Sequence, residues 1–393
     1  MSAFLAVGGL GLGASAAVAG NVARGCTARP DGASVARAWA PTPTPPGSRD
    51  DLRRPVLSTP GRSLRAASWE EGGGRVPRGR RGDEVGFFGV PDGPVLASLA
   101  EAPIRAVEKG RGGRTLAFKI TLEDGTQGYY KPEQSFSGAH WYAEIAAFHL
   151  DRALGLGRVP PVVGRRLPWG RLHANAVDDE RVDEVTVEDG VTVRGALIWW
   201  VPEGLERIRP GRDWERWVRL DPYLGITPYQ RPARFRRAVT ARRDGEGPLP
   251  DRDAPLAAAE PSTAGRDAEL SDLIVFDYLT HNVDRWGGNF TNVRTRGDDG
   301  PLVFFDNGAA FYRNPRIPLM DARLAYLQRF RRETVEAVRR LDREDLEERL
   351  AQDPLAPILD DDLIDGIFTR RAHFLEHVAE TVARFGPARV FLD

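Results

Sequence analysis

The sequence predicts an α+β chain of two lobes, a β-rich lobe followed by a mostly α-helical one. Three observations carry that expectation. Two apolar runs, 114–122 and 127–132, flank Glu123-Asp-Gly-Thr126, and Asp-Gly between apolar runs is a strong hairpin signal. Few strand signals follow Phe305. Two long helical patterns, 321–349 and 361–385, close the chain of 393 residues.

Residues 4–19 are small and apolar and end in Ala17-Val-Ala19, so residues 1–20 read as a signal or anchor segment. Any membrane association is expected only through them. The basic flank of a secretory signal is missing, which leaves exported, envelope-associated and cytoplasmic residence open. From 21 to 84 the chain is Pro, Arg, Gly, Ala and Ser with few large apolar residues, a composition that cannot bury a core and reads as a disordered linker. Order is expected to begin near Val85-Gly-Phe-Phe-Gly-Val90.

The first lobe is expected over 85–205. After the hairpin comes a helical stretch, 141–154, with Ile145, Phe148 and Leu154 on one face. Val159-Pro-Pro161 stops it and leads into a strand at Val162-Val163. Residues 191–201 read as a further strand, ended by Pro202-Glu-Gly. The second lobe is expected over 206–393. Its first part, 208–266, is rich in Arg, Asp, Pro and Ala, with short helical pieces around 214–217 and 234–237. Leu270, Leu273, Ile274, Asp277 and Tyr278 then show helical spacing up to a turn at Asp284, with His281 at the helix end.

Composition excludes several classes. A net charge of −1 and a pI near 6.6 give no electrostatic footprint for nucleic acid. Cys26 stands alone, so no intrachain disulfide forms, and one Cys with six scattered His offers no zinc-type ligand set. All three lysines, Lys109, Lys119 and Lys131, fall within one short stretch of the first lobe. Arg cannot freely replace Lys at a phosphate contact, because a planar fork and a compact point charge fit different geometries.

The chemistry concentrates near the start of the second lobe. In Asp284-Arg-Trp-Gly-Gly-Asn289 an Asn follows the Asp by five positions. Farther on, the apolar run Leu302-Val-Phe-Phe305 ends in Asp306-Asn-Gly308. A base, a metal-binding Asn and a metal-binding Asp at a strand end, in that order, make a phosphotransfer centre of the kinase type. Asp306 and Asn289 supply the hard oxygen donors that Mg²⁺ or Mn²⁺ prefers. Asp284 is expected to accept the proton of a substrate hydroxyl. In the first lobe Lys131 ends a strand and is the choice for the nucleotide α/β-phosphates, with Lys119 as the rival. Glu144, on the following helix, either pairs Lys131 or reaches the metal. Gly110, Gly112 and Gly113 let backbone approach phosphates, and Trp200 lies in the hinge strand against the base. The fold class is then α+β, a protein-kinase-like two-lobed fold.

Residues 143–152 (Ala-Glu-Ile-Ala-Ala-Phe-His-Leu-Asp-Arg) and Arg158-Val-Pro-Pro-Val162 resemble the helix and following segment of the Golgi casein kinase family of secretory-pathway kinases. Residues 272–280 with Asp284-Arg285 and Leu302-Val-Phe-Phe-Asp306 resemble its four-jointed branch. The resemblance covers about 86–386. It implies an atypical protein-kinase-like two-lobed fold using ATP with Mn²⁺ or Mg²⁺, and acceptors that are Ser/Thr hydroxyls of secreted proteins or cadherin domains, or a xylose of proteoglycan linkers. It also implies Lys131 as the nucleotide lysine, Glu144 as its helix carboxylate, Asp284 as the catalytic Asp and Asp306 as the metal Asp. Asn289 resembles the four-jointed pattern and also that of phosphatidylinositol kinases, whereas Asp306-Asn-Gly308 resembles the casein-kinase branch. The expected activity is transfer of the ATP γ-phosphate to a hydroxyl of protein or glycan. A pseudokinase scaffold, or a lipid or small-molecule kinase on the same fold, is the alternative; oligomeric state is not legible.

Overall fold

The computed structural model describes residues 86–208, 214–221, 227–229, 265–286 and 290–392. The expected leader and linker, 1–84, the helical piece at 234–237 and Asn289 lie outside the described residues. Among those described, no helix is long and apolar enough to cross a membrane.

A short helix, α1 (Gly93–Glu101), opens with Pro at its start and leads into the edge strand β1 (Ile104–Lys109). The expected hairpin follows as β2 (Phe118–Leu122) and β3 (Gln127–Pro132), paired antiparallel across a turn in which Gly125 takes φ +91°. Only a glycine enters that region without a steric penalty on Cβ. Helix α2 (Trp141–Ala153) comes next, then β4 (Val162–Pro168), the short α3 (Trp169–His173) and β5 (Thr192–Trp199). The sheet runs β1-β2-β3-β5-β4 with every pair antiparallel. Neither α1 nor β1 was expected: β1 is exposed along most of its length and lacks the apolar density that marks an inner strand.

Period-two alternation divides β3 cleanly. Gly128, Tyr130 and Pro132 are buried, while Gln127, Tyr129 and Lys131 share the opposite face. The first face closes a core with Leu99, Phe118, Ile120, Leu167 and Leu197. A larger core runs from α2 through the second lobe.

Three short strands, β6 (Leu205–Arg207), β7 (Arg294–Arg296) and β8 (Leu302–Val303), form one antiparallel sheet. Between β6 and β7 lies α4 (Arg266–Thr280), buried from its first residue to its last except at Asp267. A helix buried on all sides is the centre of its lobe rather than a surface stripe. It packs on α5 (Pro318–Tyr326) and on α8 (Asp361–Phe385).

The single long helix expected over 321–349 is instead three, α5, α6 (Arg332–Arg340) and α7 (Arg343–Leu350). The first break comes because Phe330–Arg331 forms strand β9, pairing in parallel with β10 (Phe391–Leu392) beyond α9 (Pro387–Val390). The side-chain carbonyl of Gln328 there accepts from the Leu220 and Asp221 amides at 2.7 and 2.9 Å. The second break is a cap: the Asp342 carboxylate accepts from the Asp345 amide at 3.2 Å and starts a new helix. Charge periodicity runs through both breaks, which is why the pattern alone joined them. The last long helix, α8, begins where Asp360 caps the Leu363 amide.

Candidate active site

Lys131, near the end of β3, projects from the sheet face that looks toward the second lobe. Its Nζ donates to Glu144 Oε1 at 2.6 Å and to Asp306 Oδ1 at 2.7 Å. One ammonium thus ties a strand and a helix of the first lobe to the loop after β8. Glu144 is almost wholly buried, at 2 % side-chain exposure, whereas Asp306 stands 40 % exposed. Burial works against the Lys131 ammonium, but Asp306 and Glu144 outweigh it and hold its pKa above the ordinary lysine value. The same ammonium holds Asp306 below the usual carboxylate range against the effect of burial. Asp306 takes φ +57°, a left-handed conformation uncommon for a residue with Cβ. Gly308 faces Glu144 Oε1 and the Ala139 Cβ, and its carbonyl accepts from the His140 amide at 2.8 Å.

Asp284 lies on the loop after α4 and is exposed. Its amide donates to Asn282 Oδ1 at 3.2 Å, and Asn292 Nδ2 donates to its carboxylate at 3.4 Å. Surrounding atoms still strip water from the carboxylate, and this burial, followed by the charge of Asp306, raises its pKa. Asn282 Nδ2 donates to the Asp306 carbonyl at 3.3 Å, so the two acidic loops are stitched together.

The neighbouring Arg285 is fully buried rather than a surface partner of Asp284. Its Nε donates to Asp277 Oδ1 at 3.0 Å, its Nη2 to Asn307 Oδ1 at 2.6 Å, and its Nη1 to the Phe305 carbonyl. Trp286 Nε1 donates to Asp277 Oδ2 at 3.0 Å. One guanidinium therefore fixes the Asp284 loop, the Asp306 loop and α4 relative to one another. The sequence assigned no site role to Asp277, Arg285, Asn282, Asn292 or Asn307. A lone carboxylate inside Leu273-Ile-Val-Phe-Asp-Tyr-Leu279 was the available signal, because a charge in so apolar a helix needs a buried partner.

The glycine turn joins β1 to β2. A Cβ on Gly110 would lie 2.6 Å from the Tyr129 hydroxyl and 2.9 Å from the Ala117 carbonyl oxygen, so only glycine fits. Gly113 takes φ +89°, while Gly112 faces open space. Two ion pairs and a hydrogen bond pin the turn: Lys109 pairs with Asp179 at 3.1 Å, Arg114 pairs with Glu184 at 2.7 Å, and Arg181 Nη1 donates to the Gly113 carbonyl at 3.0 Å. Trp200 is 42 % exposed, with its ring 6.3 Å from that of Tyr129. Lys119 stands opposite Tyr129 in the sheet and rests over the Trp200 ring, away from the acidic pair that holds Lys131.

Among the described residues no group of three or more His, Cys, Asp or Glu could hold a metal unaided. The half-exposed Asp306 carboxylate beside Lys131 suits an ion whose remaining ligands are phosphate oxygens and water, the way Mg²⁺ is ordinarily held. A separate cavity of about 260 Å³, lined by Asp321, His373, Glu376 and His377 among others, contains none of these side chains.

The chain is similar to known proteins. Human glycosaminoglycan xylosylkinase is 25% identical over 344 residues, covering 77% of this chain and 78% of that protein. Human extracellular serine/threonine protein kinase FAM20C is 24% identical over 322 residues, covering 74% of this chain and 54% of its own length. A solved structure of the Golgi casein kinase with Mn/ADP bound is similar with a TM-score of 0.51 and 20% identity, covering 76% of this chain and 78% of that one; the likeness is one of fold. A family model described as Golgi casein kinase, C-terminal, Fam20 matches residues 92–182 and 257–390, more than half of the sequence. With that match, the two-lobed fold and the Lys131–Glu144–Asp306 constellation together, the chain belongs to the Golgi casein kinase family.

Proposed function

We propose that this chain transfers the γ-phosphate of ATP to an acceptor hydroxyl, with the reaction carried by Lys131, Glu144, Asp284, Asn289 and Asp306. The observation that carries the reading is the double ion pair of Lys131, 2.6 Å from Glu144 and 2.7 Å from Asp306. A cation with a carboxylate beside it supports binding of nucleotide phosphates together with their accompanying ion.

In this reading Lys131 holds the α/β-phosphates and Glu144 keeps its ammonium aimed. Asp306 and Asn289 would hold Mn²⁺ or Mg²⁺, which, when bound, neutralises charge on the phosphate oxygens. Gly110, Gly112 and Gly113 bring backbone close to the phosphates, and Trp200 lies at the base. Asp284 orients the acceptor hydroxyl and takes its proton as the oxygen bonds to phosphorus and ADP leaves. The first lobe ends near residue 205 and the second carries Asp284 and Asp306. The named activities of the relatives, on serine/threonine and on a glycosaminoglycan xylose, support a protein or glycan hydroxyl as the acceptor class. An extracellular relative supports export of this chain through residues 1–20.

The test is label transfer from ATP in the presence of Mn²⁺ to a panel of acidic peptides and xylose-terminated glycans, with Asp306→Ala in parallel. Transfer by the parent and none by the variant is expected. Equal transfer by both would remove Asp306 from the site, and ATP-dependent thermal stabilisation without transfer to any hydroxyl would make the chain a nucleotide-binding scaffold.

A further inference from the structure

We propose that Lys119, Tyr129 and Trp200 form the base-reading end of the nucleotide site, and that Lys119 serves the purine ring rather than the phosphates. The inference rests on the kinase reading above and assigns the lysine that the sequence left as a rival to Lys131.

The sheet register makes the case. Lys119 on β2 stands directly opposite Tyr129 on β3, and directly paired residues point to the same face. Lys131 lies two residues beyond Tyr129 and so shares that face as well. Trp200 continues β5: its amide donates to the Gln127 carbonyl at 2.9 Å, one step beyond the last paired residue of the strand. Its ring joins the group, 6.3 Å from Tyr129 and 4.7 Å below the Lys119 ammonium. A row therefore runs along one sheet face from an aromatic ring with a cation, through a tyrosine, to the phosphate lysine.

The chemistry differs along that row. Lys131 is neutralised by Glu144 and Asp306, and Lys109 by Asp179. Among the described residues Lys119 makes no ion pair with a carboxylate, and its cation is met by the π face of Trp200. A large aromatic surface left 42 % exposed beside an ammonium with no carboxylate partner is a surface that stacks a planar heterocycle and donates to a ring nitrogen or carbonyl on its edge. Tyr129 supplies the spacer. Its hydroxyl closes against Gly110, where any Cβ would lie 2.6 Å away, so the tyrosine links the base end to the glycine turn.

The proposal separates two lysines by readout. Nucleotide affinity and turnover are measured for the full chain and for Lys119→Met, Lys119→Arg, Trp200→Leu and Trp200→Phe, using ATP, CTP and inorganic tripolyphosphate as probes. Lys119→Met and Trp200→Leu are expected to raise the KM for ATP about tenfold, the scale of one lost base stack. The loss falls on KM rather than kcat, tripolyphosphate binding is retained, and Lys119→Arg and Trp200→Phe recover most of the ATP affinity. The parent is expected to prefer ATP to CTP, and Trp200→Leu to narrow the preference. Loss of tripolyphosphate binding with Lys119→Met would make this lysine a phosphate ligand and overturn the assignment. So would unchanged ATP affinity in both truncated variants. If the parent binds tripolyphosphate and transfers phosphate but shows no base preference, the base subsite fails while the kinase reading stands; if it binds no nucleotide, both fail.

Discussion

Arg285 Nε lies 3.0 Å from Asp277 Oδ1, with both side chains at 1 % exposure or less. The pair is shut off from solvent between α4 and the Asp284 and Asp306 loops; the other bonds of Arg285 run to Phe305 and Asn307. Removing one member leaves the other charged and buried, which costs about 3–5 kcal/mol. Asp277→Ala or Arg285→Leu is therefore expected to lower the midpoint of urea or thermal unfolding strongly. The double variant should cost less than the sum of the singles, because the two residues act as one unit. Additive losses in that cycle would mean the pair is not coupled.

Lys131 presents a different balance, because one of its two partners, Asp306, is partly exposed. Lys131→Met is expected to lower kcat/KM for ATP by at least about 10²-fold, or about 2.7 kcal/mol of transition-state stabilisation. The fold should survive, because Asp306 is 40 % exposed and can be hydrated when its partner is gone. Glu144 cannot, being 2 % exposed, so Glu144→Gln in the same background should recover part of any lost stability. Steady-state kinetics beside thermal melting checks both halves. A Lys131→Met protein with full turnover would exclude this lysine from the nucleotide site.

Much of this was legible because short-range patterns dictate it. The hairpin with its Asp124-Gly125 turn, the helix carrying Glu144 and the strand ending before Asp306 all follow from local signals. Pairing of Glu144 with Lys131 was one of two readings open in the sequence, and the contact of the same ammonium with Asp306, 175 residues away, is one the structure adds. What stayed hidden depends on distant partners. The helix breaks at Leu327 and Leu341 come from strand pairing with Phe391 and from capping, neither visible in a charge period. The burial of Arg285 was not legible, because sequence adjacency to Asp284 says nothing about the direction a side chain takes. The left-handed backbone at Asp306 is likewise a tertiary product, held by the Asn282 amide on its carbonyl.

Asp284 gives a pH dependence with a defined sign. Burial first, and then the Asp306 charge, raises its pKa above the ordinary carboxylate value of about 3.9. Only the ionised form accepts a proton, so turnover is lost as pH falls through the raised value. The acid limb of kcat/KM is expected above about pH 4, and Asp284→Asn is expected to reduce kcat by about 10²–10⁴-fold. Stability moves the other way. A carboxylate whose folded pKa exceeds its unfolded pKa costs the folded state once ionised, a cost that appears as pH rises between the two values. At neutral pH Asp284→Asn should therefore melt no lower than the parent. A lower melting temperature, or an acid limb at or below the ordinary value, would contradict the role of this residue.

The glycine turn separates positions that sequence treats alike. At Gly110 a Cβ would come 2.9 Å from the Ala117 carbonyl oxygen, a backbone atom, as well as 2.6 Å from the Tyr129 hydroxyl. The Gly110 amide also donates to that same carbonyl at 2.8 Å and closes the turn. An alanine at this position would have to push the two strands apart or break that bond. Gly110→Ala is accordingly expected to cost about 1–3 kcal/mol of stability, the usual scale for overpacking, and to raise the KM for ATP. Gly112 meets nothing within 4 Å, so Gly112→Ala should melt with the parent. Gly113 is an intermediate case: its φ of +89° strains any residue with a Cβ, although the space around it is open. Melting curves of the three alanine variants should rank Gly112, then Gly113, then Gly110 in order of increasing loss. If all three lose stability equally, the close approach of Tyr129 and Ala117 is not what keeps position 110 a glycine.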